Sequence, residues 1–458
     1  MSLRVTVAEL RASGREPLAP AMLDLPSGEF HLQEWLRVLP GKRLTGRGLR
    51  EGRPALLKLF IAERGSERHW RRECEGLELL RAATLPTPAL LEAGQHPEKS
   101  YYLLTEFLTG AASPPIAVSP APTWVFALLG RLHAAGLVQE DAHFDNFLRR
   151  GDEVFLIDGA ALRRSRSDAD KADNLAVLLA QLPAQLSEAV RDELLVAYRT
   201  TSPGALDVAA VLTRCEAVRE RRLADYLDKC LRDCTLFQVE RSSSRFTAVV
   251  RTEAETLAPL LADLDGAMAI GVPLKQGGTA TVAQVSVAGR TLVIKRYNIK
   301  NRTHALSRCW RPSRAWHSWL AGHRLRFLGV ATPAPLALVE ERRGPLRGRA
   351  WLITEHCPGT PLLQRWQANA MPPDDELAAL DRLLGQLSRW KLAHGDFKAN
   401  NLLWAAPDIA LIDLDAMHRH QRAATFRRAH ARDLTRLLRN WPEQSLLRLA
   451  LQARFQVP

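Results

Sequence analysis

Apolar and polar positions along this chain alternate with the two-residue period of strands in some stretches and with the helical period in others. Residues 36–39 and 44–48 lead into the apolar run Ala55-Leu56-Leu57-Lys58-Leu59-Phe60, with Gly and Pro at the turns, which predicts a small antiparallel unit. Residues 64–83 carry Trp70, Cys74, Leu77 and Leu80 on one helical face until Leu85-Pro86-Thr87-Pro88 stops them. Residues 101–107 read as a strand and a hinge. The succession returns: residues 279–287 and 290–297 predict a hairpin around Ala288-Gly289, and residues 351–355 match 102–106 in character. Between the two groups residues 206–234 are helical in pattern, and Arg241-Ser242-Ser243-Ser244-Arg245 is a polar turn.

Two other stretches share one design. His394-Gly395-Asp396-Phe397-Lys398-Ala399-Asn400-Asn401-Leu402-Leu403-Trp404 runs on to Ile412-Asp413-Leu414-Asp415, a loop feeding a strand, a turn and a second strand that ends in acid. Val138-Gln139-Glu140-Asp141-Ala142-His143-Phe144-Asp145-Asn146, with Ile157-Asp158-Gly159 after it, repeats the pattern. The separations agree: five residues from Asp141 to Asn146 and from Asp396 to Asn401, then twelve to Asp158 and to Asp413. An Arg-rich segment follows each second acid, and then a helix opened by Asp173-Asn174-Leu175 or Asp433-Leu434-Thr435. This predicts a duplicated domain, 1–235 and 236–458, with the boundary near residue 235.

The repeated pattern suits phosphoryl transfer from ATP, which needs an oriented hydroxyl, magnesium held against the phosphates, and positive charge where negative charge builds. Asp396 can accept the hydroxyl proton and Lys398 can lean on the γ-phosphate, while Asn401 and Asp413 are oxygen ligands of the kind magnesium prefers. The arrangement resembles the catalytic loop and metal aspartate of the protein-kinase-like superfamily, in the His-Gly-Asp form of small-molecule kinases. Lys58 inside its apolar strand is either an edge residue kept polar or the phosphate-gripping lysine of a kinase N-lobe, and Lys295 stands in the same place in the second half. Glu73, Glu75 or Glu78 is a helix partner for Lys58, or all three are solvated surface. Glu106 and Glu355 mark the hinges where adenine would meet the backbone. The expected fold is therefore α+β: two tandem protein-kinase-like domains, each a small antiparallel β N-lobe and a mainly helical C-lobe.

Composition narrows the setting. With 458 residues the chain is too long for one ordinary core, and 46% hydrophobic content is ample for globular folding. A net charge of +13 points to anionic partners. Six cysteines without metal-ligand spacing suggest reduced thiols in a cytoplasmic protein, and Cys230 and Cys234 read as a half-buried helix face. Residues 1–20 lack a continuous apolar core, so no signal peptide is expected, and no run of 18 uncharged apolar residues suggests a membrane span.

Leu39-Pro40-Gly41-Lys42-Arg43-Leu44, Val293-Ile294-Lys295-Arg296-Tyr297-Asn298 and Ser313-Arg314-Ala315-Trp316 resemble segments of the bacterial lipopolysaccharide core kinases, the heptose/Kdo kinase group. The resemblance implies ATP- and Mg2+-dependent phosphorylation of an inner-core sugar hydroxyl by a cytoplasmic enzyme at the inner face of the inner membrane. It implies that Lys295 holds the ATP phosphates, that Asp396 is the base and that Asn401 and Asp413 hold metal. In the first half these roles fall to Lys58, Asp141, Asn146 and Asp158, with His143 in place of Lys398. A kinase-like scaffold or pseudokinase regulating lipopolysaccharide assembly is the rival reading, and a protein or other small-molecule kinase a third.

The departures sharpen the expectations. Neither half has a GxGxxG loop, and Gly46-Arg47-Gly48 and Gly277-Gly278 are the nearest features. The helix near residues 312–328 has no carboxylate, so Lys295 lacks a helix partner. Gln139-Glu140 replaces His-Gly and sets a like charge beside Asp141, which alters that base. The second half, with its motif whole, is the expected active site. Nine basic residues and no acid between 295 and 326, interleaved with Trp310, Trp316 and Trp319, and five arginines between 419 and 432 suggest a surface for anionic glycolipid or membrane. Nucleic acid is not expected, since no RNA-recognition or zinc-finger signature is present.

Overall fold

The computed structural model describes residues 3–456 apart from 98, 115–119, 184–185, 187, 203, 205, 299–311 and 345. It divides into two compact units, Met1–Glu220 and Arg221–Pro458. Each is α+β, an antiparallel sheet followed by a mainly helical part.

In the first unit β1 (Leu3–Arg4), β2 (Ala21–Leu25), β3 (Gly28–Leu39), β4 (Arg43–Arg50), β5 (Arg53–Phe60), β6 (Leu90–His96) and β7 (Ser100–Glu106) form one sheet in the order β1-β2-β3-β4-β5-β7-β6. All pairings are antiparallel except β1 with β2. The strand period sorts β5: Ala55, Leu57 and Leu59 enter a core with Phe30, Leu44 and Leu104, closed by Val7 and Leu10 of α1 (Val7–Ala12). Each such leucine contributes roughly 1.5–3 kcal/mol by burial. Lys58 is thereby turned to the other face, toward α2 (Ser66–Ala82).

The helical part comprises α3 (Thr123–Ala134), α4 (Asp168–Leu179), α5 (Glu188–Arg199) and the start of α6 (Val208–Lys229). Phe126, Leu129, Leu175, Leu178 and Leu194 form its core, against which the Phe147–Arg150 and Glu153–Leu156 hairpin packs.

The units divide within α6, upstream of the polar turn at 241–245. The helix runs unbroken from Val208 to Lys229. Its last turn already belongs to the second unit, where Tyr226, Cys230 and Leu231 pack with Phe237, Phe246 and Trp319. Cys230 is fully buried and Cys234 partly so. These two, with Cys74, Cys215 and Cys357, are free thiols, and Cys309 lies outside the described residues.

The second unit's sheet contains β8 (Phe237–Arg241), β9 (Arg245–Val250), β10 (Val272–Lys275), β11 (Ala280–Val287), β12 (Arg290–Tyr297), β13 (Pro335–Arg343) and β14 (Leu346–Glu355), ordered β8-β9-β13-β14-β12-β11-β10. Leu292 and Ile294 of β12 enter a core closed by Leu257 and Leu264, on α7 (Ala254–Ala262) and α8 (Leu264–Ile270). Val293, Lys295 and Tyr297 are left on the opposite face. Helix α9 (Arg314–Phe327) covers part of that face, capped by Ser313, whose Oγ accepts the Trp316 N–H at 3.1 Å. Beyond lie α10 (Asp374–Arg389), α11 (Ala423–Leu438), α12 (Leu446–Phe455) and a small sheet of Thr360–Pro361, Leu402–Ala405 and Asp408–Leu411.

Candidate active site

The loop from His394 to Asn401 in the second unit is held by its own histidine. His394 is fully buried. Its Nε2 donates to the Ile412 carbonyl at 3.0 Å, and its Nδ1 accepts the Asp396 N–H at 3.3 Å. One donor and one acceptor require the neutral imidazole, and burial holds its pKa below the ordinary value. Asp433, buried in α11, accepts the N–H of His394 at 2.7 Å and of Gly395 at 3.1 Å. Gly395 turns the chain at φ +78°, where a Cβ would sit 2.4 Å from the Ala416 carbonyl oxygen, so only glycine fits. The Asp396 carboxylate is about one-third exposed and 2.9 Å from Lys398 Nζ. Asn401 Nδ2 donates to the Asp396 carbonyl at 2.9 Å, which turns its amide nitrogen toward the loop.

Across from this loop Lys295 meets two carboxylates. Its Nζ lies 2.5 Å from Asp413 Oδ1 and 2.9 Å from Asp415 Oδ1. Asp415 Oδ1 also accepts the Tyr297 hydroxyl at 2.6 Å and the Ser318 hydroxyl of α9 at 2.8 Å, and Arg314 stands 3.8 Å from its other oxygen. Burial, then the Asp415 charge, pushes the Tyr297 phenol far above its ordinary pKa, so it acts as a donor. The helix does lack a carboxylate, as its sequence states, but Lys295 does not lack a partner. Asp415 supplies the acid from two residues past Asp413, and α9 contributes a serine that holds it. The signal was present in Asp413-Leu414-Asp415, whose second acid sequence reasoning left without a role.

Lys295, Asn401, Asp413 and Asp415 line one cavity of about 370 Å³, with Val282, Val293, Leu352 and Leu403 as its apolar walls and Glu355 and His356 at the hinge. The volume lies in the range of ligand sites. The Glu355 carboxylate accepts from Arg290 at 2.7 Å, and Glu106 of the first unit lies 3.9 Å from Arg150. Among the described residues no cluster of three or more His, Cys, Asp or Glu could hold a metal unaided. One carboxylate and one amide oxygen, Asp413 and Asn401, fit an ion such as Mg2+ that takes its remaining ligands from phosphate and water.

The first unit builds a related constellation with a different acid. Lys58 Nζ lies 2.5 Å from Glu73 of α2 and 3.6 Å from Asp158. Glu73, rather than Glu75 or Glu78, is the residue that faces inward, and it is 1% exposed. Burial pushes its carboxyl upward, against the opposing pull of Lys58. Burial also opposes ionisation of Asp158, but the charge of Lys58, a hydrogen bond with Glu73 and the charge of Arg43 outweigh it and hold that carboxyl below its ordinary value. Asn146 Nδ2 donates to the Asp141 carbonyl at 2.9 Å, the same contact as Asn401 makes. His143 is 3.6 Å from Asp145. Gln139 stands in for His394, donating from Nε2 to the carbonyls of Ile157 and Asp158 at 3.3 and 3.1 Å. Glu140 does not press its charge on Asp141 unopposed, since it pairs with Arg163 at 2.5 Å.

Three other expectations change. Asp173 and Asp433 do not open their helices but lie inside α4 and α11; Asp173 pairs with Arg214 at 2.7 Å, while its neighbour Asn174 accepts the Gln139 N–H at 3.1 Å as Asp433 accepts that of His394. Gly46 and Gly48 are no phosphate cover. They lie within β4, where a Cβ would meet Leu32 at 2.4 Å and the His31 carbonyl oxygen at 2.2 Å, so they let strands approach. The turn one strand ahead of the hairpin into the lysine strand, between β3 and β4 and between β10 and β11, is Pro40-Gly41-Lys42 in the first unit and Gln276-Gly277-Gly278-Thr279 in the second. The two described tryptophans of the basic run, Trp316 and Trp319, are not displayed for an interface. Trp319 is fully buried, donating to the Cys230 carbonyl at 3.1 Å, and Trp316 packs on Phe246 under Arg347. Trp310, Lys300, Arg302, Arg308 and Arg311 lie outside the described residues. In the other basic run Arg422, Arg427, Arg428 and Arg432 are exposed, while Phe426 and Ala429 of the same helix are buried. Among the described residues no helix is long and apolar enough to cross a membrane.

Residues 269–452 match the family model described as Lipopolysaccharide kinase (Kdo/WaaP) family. No curated protein matches the chain. Among solved structures the chain is similar to WaaP in complex with acyl carrier protein, with 21% identity, coverage of 42% of this chain and 89% of that one, and a TM-score of 0.33. A putative fructosamine-3-kinase from Haemophilus somnus 129PT gives 12% identity, coverage of 44% and 88%, and a TM-score of 0.31. Vaccinia related kinase 3 gives 15%, 49% and 81%, and 0.26.

Proposed function

We propose, on the premise that residues 269–452 form a domain of the lipopolysaccharide kinase (Kdo/WaaP) family, that this chain is an ATP-dependent kinase phosphorylating a heptose or Kdo hydroxyl of the lipopolysaccharide inner core. The observation that carries this reading is the meeting of Lys295, Asn401, Asp413 and Asp415 around one cavity, with Asp396 and Lys398 on the loop that leads to Asn401.

In this reading Lys295 binds the nucleotide phosphates, and Asp415, Tyr297 and Ser318 keep its ammonium in place. Asp396 orients the sugar hydroxyl and accepts its proton, with Lys398 supplying positive charge beside it. Asn401 and Asp413 would hold Mg2+, which when bound neutralises phosphate charge. His394 and Asp433 hold the loop backbone and take no proton from substrate.

The chain is read as a tandem duplication, with kinase-like organisation in both units and the sugar-phosphorylating site in the second. The exposed arginines of α11 suit the anionic face of a glycolipid or of the inner membrane's cytoplasmic leaflet, each contributing on the order of 1 kcal/mol near such a surface. The test is phosphate transfer from labelled ATP to purified core lipopolysaccharide lacking that phosphate. Transfer that disappears in Asp396→Asn supports the assignment. Nucleotide binding without transfer to any core sugar overturns it in favour of a scaffold.

A further inference from the structure

We infer that a second cavity of the second unit is a subsite for an anionic sugar, the residue of the acceptor that adjoins the hydroxyl to be phosphorylated, recognised by Arg314, His317, His418 and Asp415. The inference rests on the sugar-kinase reading and adds to it the class of acceptor.

The cavity encloses about 430 Å³, within the range of ligand sites, and lies between the first turn of α9 and residues 415–418. Of the residues that line it, only Asp415 also lines the cavity of Lys295 and Asp413. Its wall is tied to the segment that carries Asp396. His418–Arg419 runs antiparallel to Leu392–Ala393, with His418 opposite Ala393, and the Ala416 carbonyl oxygen occupies the space that a Cβ on Gly395 would need. A saccharide whose reactive hydroxyl is at Asp396 therefore meets this cavity with an adjoining residue.

The donors of the cavity are not spent. Arg314 donates from Nη2 to the Thr279 carbonyl at 2.7 Å and from Nη1 to Thr279 Oγ1 at 3.4 Å. A guanidinium has five N–H groups, so three remain. The Asp415 oxygen 3.8 Å away is beyond hydrogen-bond range and attracts this charge without using those donors.

Acceptors stand beside them. His317 Nε2 donates to the Met417 carbonyl, which leaves Nδ1 as a lone pair with no partner among the described residues. Asp415 spends Oδ1 on Lys295, Tyr297 and Ser318, and its Oδ2 is the oxygen nearest Arg314. His418 is exposed, with its ring edge-on to His420 at 5.0 Å.

This mixture selects the ligand. Spare guanidinium N–H groups match a carboxylate or a phosphate, and open lone pairs on a carboxylate and an imidazole match hydroxyls. A free oxyanion would use the first set and be repelled by Asp415, while a neutral sugar would leave the guanidinium unused. A sugar carrying both hydroxyls and an anionic group uses all of them.

The experiment offers the full chain three acceptors: core oligosaccharide lacking the phosphate to be installed, the same with its carboxylates reduced to alcohols, and the same treated with phosphatase. At saturating ATP, kcat/KM should fall about tenfold for the treatment that removes the recognised anion, which also tells carboxylate from phosphate. The ratio should approach one in Arg314→Gln and shrink in His418→Gln, whose exposed ring takes no part in the core. A ratio between acceptors on one protein cancels any general loss of rate or stability. A parent that uses all three equally, or a ratio that Arg314→Gln leaves intact, overturns the subsite while phosphate transfer keeps the sugar-kinase reading. Should no acceptor be phosphorylated, equilibrium dialysis of the labelled oligosaccharides with a non-hydrolysable ATP analogue reads the same ratio. A preference that Arg314→Gln abolishes then supports the subsite and overturns the sugar-kinase reading, and the absence of any preference overturns both.

Discussion

Asp415 Oδ1 lies 2.9 Å from Lys295 Nζ and does in the second unit what Glu73 does for Lys58 in the first, although one acid follows a strand and the other lies on a helix. The lysine needs an anion at a fixed distance, and the chain element that delivers it is free to change. Asp415→Asn should therefore lower kcat/KM about ten- to hundredfold, roughly 1–3 kcal/mol, mainly through nucleotide binding, because Asp413 still faces Lys295. Ser318 is 2.8 Å from the same oxygen, so adding Ser318→Glu to Asp415→Asn restores a carboxylate from the helix side and should recover part of the loss. Steady-state kinetics at varied ATP checks both. An Asp415→Asn enzyme with unchanged KM for ATP would show that the contact does not position the lysine.

Asp396→Asn should reduce turnover by about two to four orders of magnitude, the usual contribution of a positioned base. Nucleotide affinity should hardly move, since Asp396 is not among the residues that line the cavity. Asp141→Asn should leave phosphorylation of the core sugar near its unmutated rate. Loss of sugar phosphorylation in Asp141→Asn, with Asp396→Asn active, would transfer the catalytic role to the first unit.

The repeated spacing of acid, amide and acid was legible because it is local: a loop, a hairpin turn and two short strands fix those distances within a few residues. The strand lysines were legible too, since a charge in an apolar run must be turned from the core. Lys295's partner was not, because Asp415 is 120 residues away and only the packing of β12 and α9 around the second acid brings them together. The tryptophans misled for a similar reason. Trp316 and Trp319 occur in a basic sequence, but α9 turns them toward Phe246 and Phe237 and away from its charged positions. Gly46 and Gly48 looked like loop glycines, yet the register of β3 with β4 makes them strand residues.

Gly395→Ala isolates the backbone requirement of the loop. The substitution asks alanine to adopt φ +78° and to place Cβ 2.4 Å from a backbone oxygen, so the loop must shift or leave its left-handed turn. The cost should be about 1–3 kcal/mol, seen as a lower melting temperature for the second unit with turnover reduced more than nucleotide affinity. A variant with parental stability and rate would mean that the turn is not enforced. The first unit has Glu140 at the corresponding place without a positive φ, so Glu140→Gly there should give no comparable gain.

Buried histidines make stability depend on pH in a window set by their own shifts. Burial lowers His133 to about 4 and His323 to about 3, from an ordinary value of 6.5, and lowers His394 as well. The unfolded chain takes up these protons as pH falls below 6.5, while the folded chain refuses them until the lower values are reached. Between those limits the unfolded state binds more protons, so stability is full above 6.5 and declines toward pH 4. His133 and His323 should each account for a loss of roughly 2–3 kcal/mol at pH 4.5. Melting curves at pH 7.5 and 4.5 for the parent and for His133→Gln with His323→Gln provide the measurement. Glutamine keeps polar contact with Tyr198 and Tyr226 but cannot take a proton, so the variant's melting temperature should fall less steeply on acidification. An equal slope in both proteins would show that carboxylates, not these imidazoles, govern acid unfolding.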